Sequence, residues 1–265
     1  ASAANVIECG DNCFRVCFGD PDQGTIAAEE LAKNYDKIGC IYDTSDAYSA
    51  GVYDAFKAKM AELEKEFDTQ SFDAENKKDF STQAEALKDC DVIFMPIYYT
   101  PVSQFMTAGK GVVKANAVYY GCDGLDGIDA IDGFDINSIT QEVSYLSHFN
   151  STATEGPAAE FIAKYNDKYD EEKEPLNQFG AAAYDCVYAI YEAMKTAKSN
   201  GKKIDANISA DELCEILKEV FNSDSFTFRG ITGKTEGNEK STISWSADGT
   251  VQKEAIKYIV KEASN

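Results

Sequence analysis

Phenols and a carboxylate stand together in the stretch Asp91–Ile128, DVIFMPIYYTPVSQFMTAGKGVVKANAVYYGCDGLDGI. The apolar run VIFMPI gives way at once to Tyr98-Tyr99-Thr100-Pro101, and the run AVYY gives way to Gly121-Cys122-Asp123-Gly124. Two phenols and one acid suit a small ligand that carries a positive charge, such as an amino acid, because a carboxylate accepts hydrogen bonds from an ammonium group. Gly121 and Gly124 let backbone and ligand approach closely around Asp123. An aspartate next to glycine is also a common turn signal, so a purely structural reading of Asp123 stands beside the ligand-binding one. As a ligand group, Asp123 is expected in a cleft, with Tyr98 and Tyr48 flanking the ligand, where the unliganded carboxylate adds little to the core.

These residues need strands to hold them. The two apolar runs read as neighbouring strands of a parallel sheet, joined by a short helix over Val102–Thr107. In such sheets ligands bind just beyond the carboxyl ends of the strands. KIGCIYD is a further buried parallel strand by its continuous apolar character. Thr44-Ser45-Asp46 can cap the next helix, in which Val52, Phe56, Met60 and Leu63 recur on one face. Tyr48 stands at the start of that helix. Before it, Asp20-Pro21-Asp22 opens a helix through TIAAEELAKNY, where acidic residues favour the helix dipole. TQSFD and EVSYLSHF read as strands. DFSTQAEALKDC, GPAAEFIAKYNDKY, FGAAAYDCVYAIYEAMKTA and ADELCEILKEVF read as helices, and STISWSADGTVQKEAIKYIV reads as a hairpin turning at Ala247-Asp248-Gly249. The alternation predicts an α/β fold with a parallel sheet.

Composition narrows the function. The 265 residues carry a net charge of −21 and a pI near 4.4, which argues against nucleic acid and anionic membrane as partners. No window approaches the roughly 20 apolar residues of a membrane span. The eight cysteines form no CxxC pair of the zinc type. Cys40 and Cys186 lie in apolar runs and read as buried small hydrophobes. Cys9, Cys13 and Cys17 are spaced by four, a spacing that leaves both a disulfide and free thiols open. Asp123, Asp126, Asp129, Asp132 and Asp135 recur every third residue. Calcium loops space their acids by two, so a solvated acidic surface is expected and no metal. His148 is the single histidine and has no evident nucleophile partner, so catalysis is not expected. GITGKT is no phosphate loop, because Phe228 stands where the motif needs its first glycine. No cofactor is indicated. Asn150-Ser151-Thr152 and Asn207-Ile208-Ser209 match the glycosylation pattern, which matters only in a eukaryotic secretory host.

Several segments also resemble a known family. PIYYTP and YYGCDGLDG, FRVCFGDPDQG (Phe14–Gly24), IYDTSDAYSAG (Ile41–Gly51), and FIAKYNDKYDEEKEP with AAAYDCVYAIYEAM are similar, in the right order, to segments of leucine/isoleucine/valine-type substrate-binding proteins of ABC transporters. The resemblance implies the two-lobed periplasmic-binding-protein type I fold. Lobe I would comprise residues 1–18 and 148–229, and lobe II residues 19–147 and 230–265. It implies an extracytoplasmic protein, periplasmic or lipid-anchored, that closes around an amino acid by hinge motion and delivers it to an ABC permease. A ligand sensor with the same fold is the alternative; an enzyme is not implied. Ser2, Ala3 and Asn5 would hold the ligand's carboxylate, with asparagine where the family commonly has threonine. Tyr48 would face the ligand as an aromatic, against the simpler reading of a packing tyrosine. Tyr98 and Asp123 would meet the ligand's other groups. In the family several strand–helix units precede the opening loop. Lobe I is therefore expected to be incomplete here, implying a missing N-terminal segment, a second chain or self-association.

Overall fold

The computed structural model of the protein describes residues 4–75, 79–170, 174, 176–234 and 239–264. They divide into two units, residues 1–19 with 147–256 and residues 20–146 with 257–265.

The second unit is built on a six-stranded sheet. Its strands are β1 (Ile38–Asp43), β2 (Asp68–Phe72), β3 (Val92–Met95), β4 (Val118–Gly121), β5 (Glu142–Ser147) and β9 (Ile256–Lys261), in the order β2-β1-β3-β4-β5-β9. The first five run parallel, with Ile38 opposite Val92, Val92 opposite Val118, and Val118 opposite Glu142. Their apolar runs follow from this placement, since a parallel sheet is buried on both faces. Every residue of β3 and β4 is buried. Helices α1 (Asp20–Asn34), α2 (Ala47–Glu62), α3 (Ser81–Ala86) and α4 (Tyr99–Ala108) flank it. Val52, Phe56 and Met60 of α2 are fully buried, and Phe56 stacks on Phe94 with ring centroids 4.5 Å apart. Each such side chain stabilises the fold by roughly 1.5–3 kcal/mol relative to exposure.

The pairing of α1 with α2 depends on Gly24. A Cβ there would lie 2.3 Å from the carbonyl oxygen of Val52 and 2.8 Å from the amide nitrogen of Phe56. Backbone meets backbone at that point, and only glycine leaves the space.

The first unit contains α5 (Gly156–Lys168), α6 (Gln178–Ser199) and α7 (Ala210–Phe221) with three antiparallel strands, β6 (Phe228–Gly230), β7 (Ser241–Trp245) and β8 (Val251–Gln252). Val16, Phe18, Ala193, Ile216, Phe221, Phe226, Phe228, Ile243 and Trp245 form its main core. Trp245 Nε1 donates to the carbonyl of Arg15 at 2.7 Å. The fully buried Asp185 of α6 accepts from the amides of Ile231 and Thr232 and, at 2.6 Å, from the Thr232 hydroxyl.

These contacts change the expected division. Residues 230–256 pack with the first unit, where the sequence reading puts all of 230–265 in lobe II. The hairpin turns as expected at Gly249, which has φ +80°, but β7 pairs with β6 through Phe228–Ile243 and Gly230–Ser241. Only β9 continues into the other sheet. The helix after β3 also differs. It starts at Tyr99, three residues before the expected Val102, because Pro101 sits in its first turn, where a missing N–H costs nothing. Cys186 is exposed, unlike the buried Cys40. It lies on the outer side of α6, which also exposes Phe179, Val187, Tyr188, Ile190 and Tyr191. All eight cysteines are free thiols, so the first-unit trio forms no disulfide.

Two stability measurements follow. Gly24→Ala should destabilise the protein by about 3 kcal/mol in chemical denaturation, because two helix backbones must part; a loss below about 0.5 kcal/mol would contradict the close approach. Asp185→Ala should cost a similar amount, since it strands two buried amide N–H groups and a hydroxyl. An unchanged midpoint would show that those donors find water instead.

Candidate functional site

The carboxyl ends of β3 and β4 lie side by side, with Met95 opposite Gly121. Beyond β3 the chain reaches Tyr98, which caps α4 in an extended conformation (φ −71°, ψ 157°) and leaves its ring 49% exposed. Beyond β4 the buried Cys122 leads into a single 3-10 turn, Asp123–Leu125. Beyond β1, Asp46 caps α2 by accepting the Ser49 amide at 2.9 Å, which sets Tyr48 in the first turn. Three strand ends thus converge on one place, as a parallel sheet requires.

Tyr48, Tyr98 and Asp123 meet there. The rings of Tyr48 and Tyr98 stack with centroids 5.0 Å apart. The Tyr48 hydroxyl donates to Asp123 Oδ1 at 2.8 Å and accepts the Gly124 amide at 3.1 Å. Gly124 permits this, since a Cβ would lie 3.0 Å from that hydroxyl. Burial, and then the nearby Cys122 and Asp123, push the Tyr48 phenol well above its ordinary pKa, so it stays a neutral donor. Burial, with Asp46, Asp123 and Asp20 nearby, raises Tyr98 as well. Tyr99, the other phenol of the pair, is exposed at the start of α4.

Asp123 departs from its expected setting. It is 6% exposed, and Oδ1 receives a second hydrogen bond from Gln23 Nε2 at 2.9 Å. Gln23 Oε1 in turn accepts the Asp123 amide at 2.9 Å. The carboxylate is therefore built into the fold, and the expectation that it adds little to the core does not hold. Gln23, fully buried on α1, is the site residue that sequence reading missed. It lies in the first turn of α1, and its partner lies 100 residues away. The arrangement sets one fixed carboxylate against a pair of neutral aromatic faces, a combination that attracts an ammonium group through both charge and π-density.

The remaining candidates belong to other elements. Asn5 belongs to the first unit, on a 3-10 helix Ala4–Cys9, where it is exposed and its carbonyl accepts from Cys9 Sγ at 3.6 Å. Ser2 and Ala3 lie outside the described residues. Of the aspartate series, Asp126 accepts from the Tyr145 hydroxyl at 3.0 Å, while Asp129, Asp132 and Asp135 are exposed. Among the described residues no group of acids, cysteines and histidine is arranged to hold a metal ion. No described helix is long and apolar enough to cross a membrane. A groove of about 390 Å³ in the first unit, lined by Phe14, Ile190, Leu213, Phe221 and Trp245, has no carboxylate in its lining.

No curated protein sequence matches the chain. Among solved structures, the leucine-binding protein LivK of Thermotoga maritima is 22% identical with a TM-score of 0.71, over 97% of this chain and 67% of that one. The branched-chain amino acid transporter substrate-binding protein LivJ of Streptococcus pneumoniae, solved with isoleucine, is 20% identical with a TM-score of 0.63, over 97% and 71%. A solute-binding protein of an ABC transporter from R. palustris, solved with benzoate, is 14% identical with a TM-score of 0.71, over 100% and 67%. These likenesses show the periplasmic-binding-protein type I fold, of which the chain spans about two thirds of each neighbour's length. A family model described as periplasmic binding protein matches residues 1–234. On that match over most of its length, the chain belongs to the periplasmic binding protein family.

Proposed function

We propose that the protein captures an amino acid, of the branched-chain type or similar in size, and hands it to an ABC permease. The observation that carries this reading is the cluster of Asp123, Tyr48 and Tyr98 at adjoining strand ends. One of the compared proteins is named as leucine-binding and another is solved with isoleucine, which supports an amino acid over other solutes. In this reading Asp123 accepts the ligand's ammonium, and the stacked tyrosines wall the site with neutral aromatic surface. A buried ammonium without a countercharge is costly, so the carboxylate discriminates amino acids from molecules that lack the amine. Asn5 is proposed as a donor to the ligand's carboxylate, since an amide N–H₂ can serve there. The site lies outside the membrane in this proposal, as is general for the family.

Calorimetric titration with L-leucine and L-isoleucine tests the reading. The protein should bind at least one of them. Asp123→Asn keeps the side-chain shape and an oxygen for Gln23 and Tyr48, but removes the charge. It should weaken binding roughly 10- to 100-fold, which is what a charged hydrogen bond of about 1.5–3 kcal/mol is worth. Equal affinity in the variant, or tight binding of benzoate with none of either amino acid, would refute the ammonium site.

A further inference from the structure

We propose that Gln23 is a positioning residue of the ligand site, which fixes the carboxylate of Asp123 in the one orientation that faces an incoming cation. This rests on the reading of Asp123 as the ligand's counter-charge and extends it to the element that aims that charge.

The geometry is specific. Gln23 makes two hydrogen bonds to one residue, and they run in opposite directions. Its Nε2 donates to Asp123 Oδ1, and its Oε1 accepts from the Asp123 amide, each at 2.9 Å. A single contact would leave Asp123 free to turn about its side-chain torsions. The pair ties backbone and carboxylate to the same planar amide, so χ1 and χ2 are set together. Tyr48 completes the frame with a hydroxyl donor to the same Oδ1 at 2.8 Å. Both donors meet at Oδ1, one from each helix.

Position along α1 explains why a glutamine can do this. It sits in the first turn, after the buried Asp20 and directly before Gly24. Gly24 brings α1 to backbone contact with α2 at Val52 and Phe56. Tyr48 lies one turn before Val52 on that same α2. The helix contact that Gly24 permits therefore places both Oδ1 donors, one from each helix, around a residue that belongs to a third element beyond β4. Gln23 and Gly24 divide the work: one residue reaches the site, and the next permits the helix approach that lets it reach.

A glutamine that served packing alone would be replaceable by an apolar side chain of equal volume. Methionine is such a side chain, and replacing both partners' polar contact by a matched apolar one is often nearly neutral for stability. The positioning role predicts otherwise for the chemistry. The charge of Asp123 is felt by Tyr48, Tyr98 and Cys122, and Asp20 acts on Tyr98 and Cys122 as well. Loss of a donor to the ionised carboxylate should move its protonation upward.

The experiment follows the Asp123 carboxyl carbon by NMR as pH is lowered, in the unaltered protein and in Gln23→Met, with no ligand present. The titration midpoint of Asp123 should rise by about one pH unit in the variant. Binding of L-leucine to the same variant should weaken about tenfold. An unchanged midpoint in a folded Gln23→Met protein would overturn the proposal, whatever happens to its thermal stability. If leucine binding is insensitive to Asp123→Asn, the ligand-site reading fails instead, and the titration still decides the role of Gln23. Should Gln23→Met not fold, the unaltered protein supplies the answer: the Gln23 side-chain amide protons should exchange with water slowly, and exchange as fast as that of a surface glutamine would overturn the proposal.

Discussion

Burying a carboxylate is expensive, and the second unit is arranged so that Asp123 is buried with partners in place. An ionised acid in an apolar setting is tolerated only when hydrogen bonds replace its water. Here the replacement donors come from α1 and α2, which belong to different parts of the chain from the turn after β4. Each donor depends on a further condition. Gln23 reaches Asp123 because Gly24 lets α1 and α2 touch. Tyr48 reaches it because Asp46 caps α2 and Gly124 has no side chain in the way. Glycines thus act at this site by absence, and the polar residues act through the space that results.

The sheet beneath explains why these elements meet at all. β1, β3 and β4 are neighbours in a parallel sheet, so their carboxyl ends emerge on one edge. Phe56 of α2 stacks on Phe94 of β3, and Tyr119 and Tyr120 of β4 are fully buried. This core sets the strand ends to within side-chain reach of each other. The chemistry then needs only short excursions: past Pro96 and Ile97 to Tyr98 before α4, and past Cys122 to Asp123, which opens its 3-10 turn.

Much of this is legible in the sequence, for identifiable reasons. KIGCIYD, VIFMPI and AVYY reveal strands because a parallel sheet buried on both faces tolerates little polarity. Tyr48, Tyr98 and Asp123 can be picked out because they stand within five residues of strand ends. Gln23 cannot, since nothing local to a helix records a partner 100 residues away. The hairpin after residue 240 is visible through its turn at Gly249, yet its sheet is not, because periodicity gives strand type and not strand partner. Asp185 holding Ile231 and Thr232 is the kind of long-range contact that decides the matter. Cys186 reads as buried because α6 is apolar on both sides, so its exposed side looks like its buried one. Pro101 hid the true start of α4, since proline breaks a helix interior but suits a first turn.

The central claim is that the carboxylate of Asp123 faces the amine of an amino acid between neutral tyrosines. A crystal structure of the protein grown with L-isoleucine tests it most directly. The account predicts the ligand's nitrogen about 2.8–3.0 Å from an Asp123 carboxylate oxygen, with the Tyr48 and Tyr98 rings against the ligand. A ligand seated in the groove of Phe14, Leu213 and Trp245, with none of its atoms against Asp123, would contradict it.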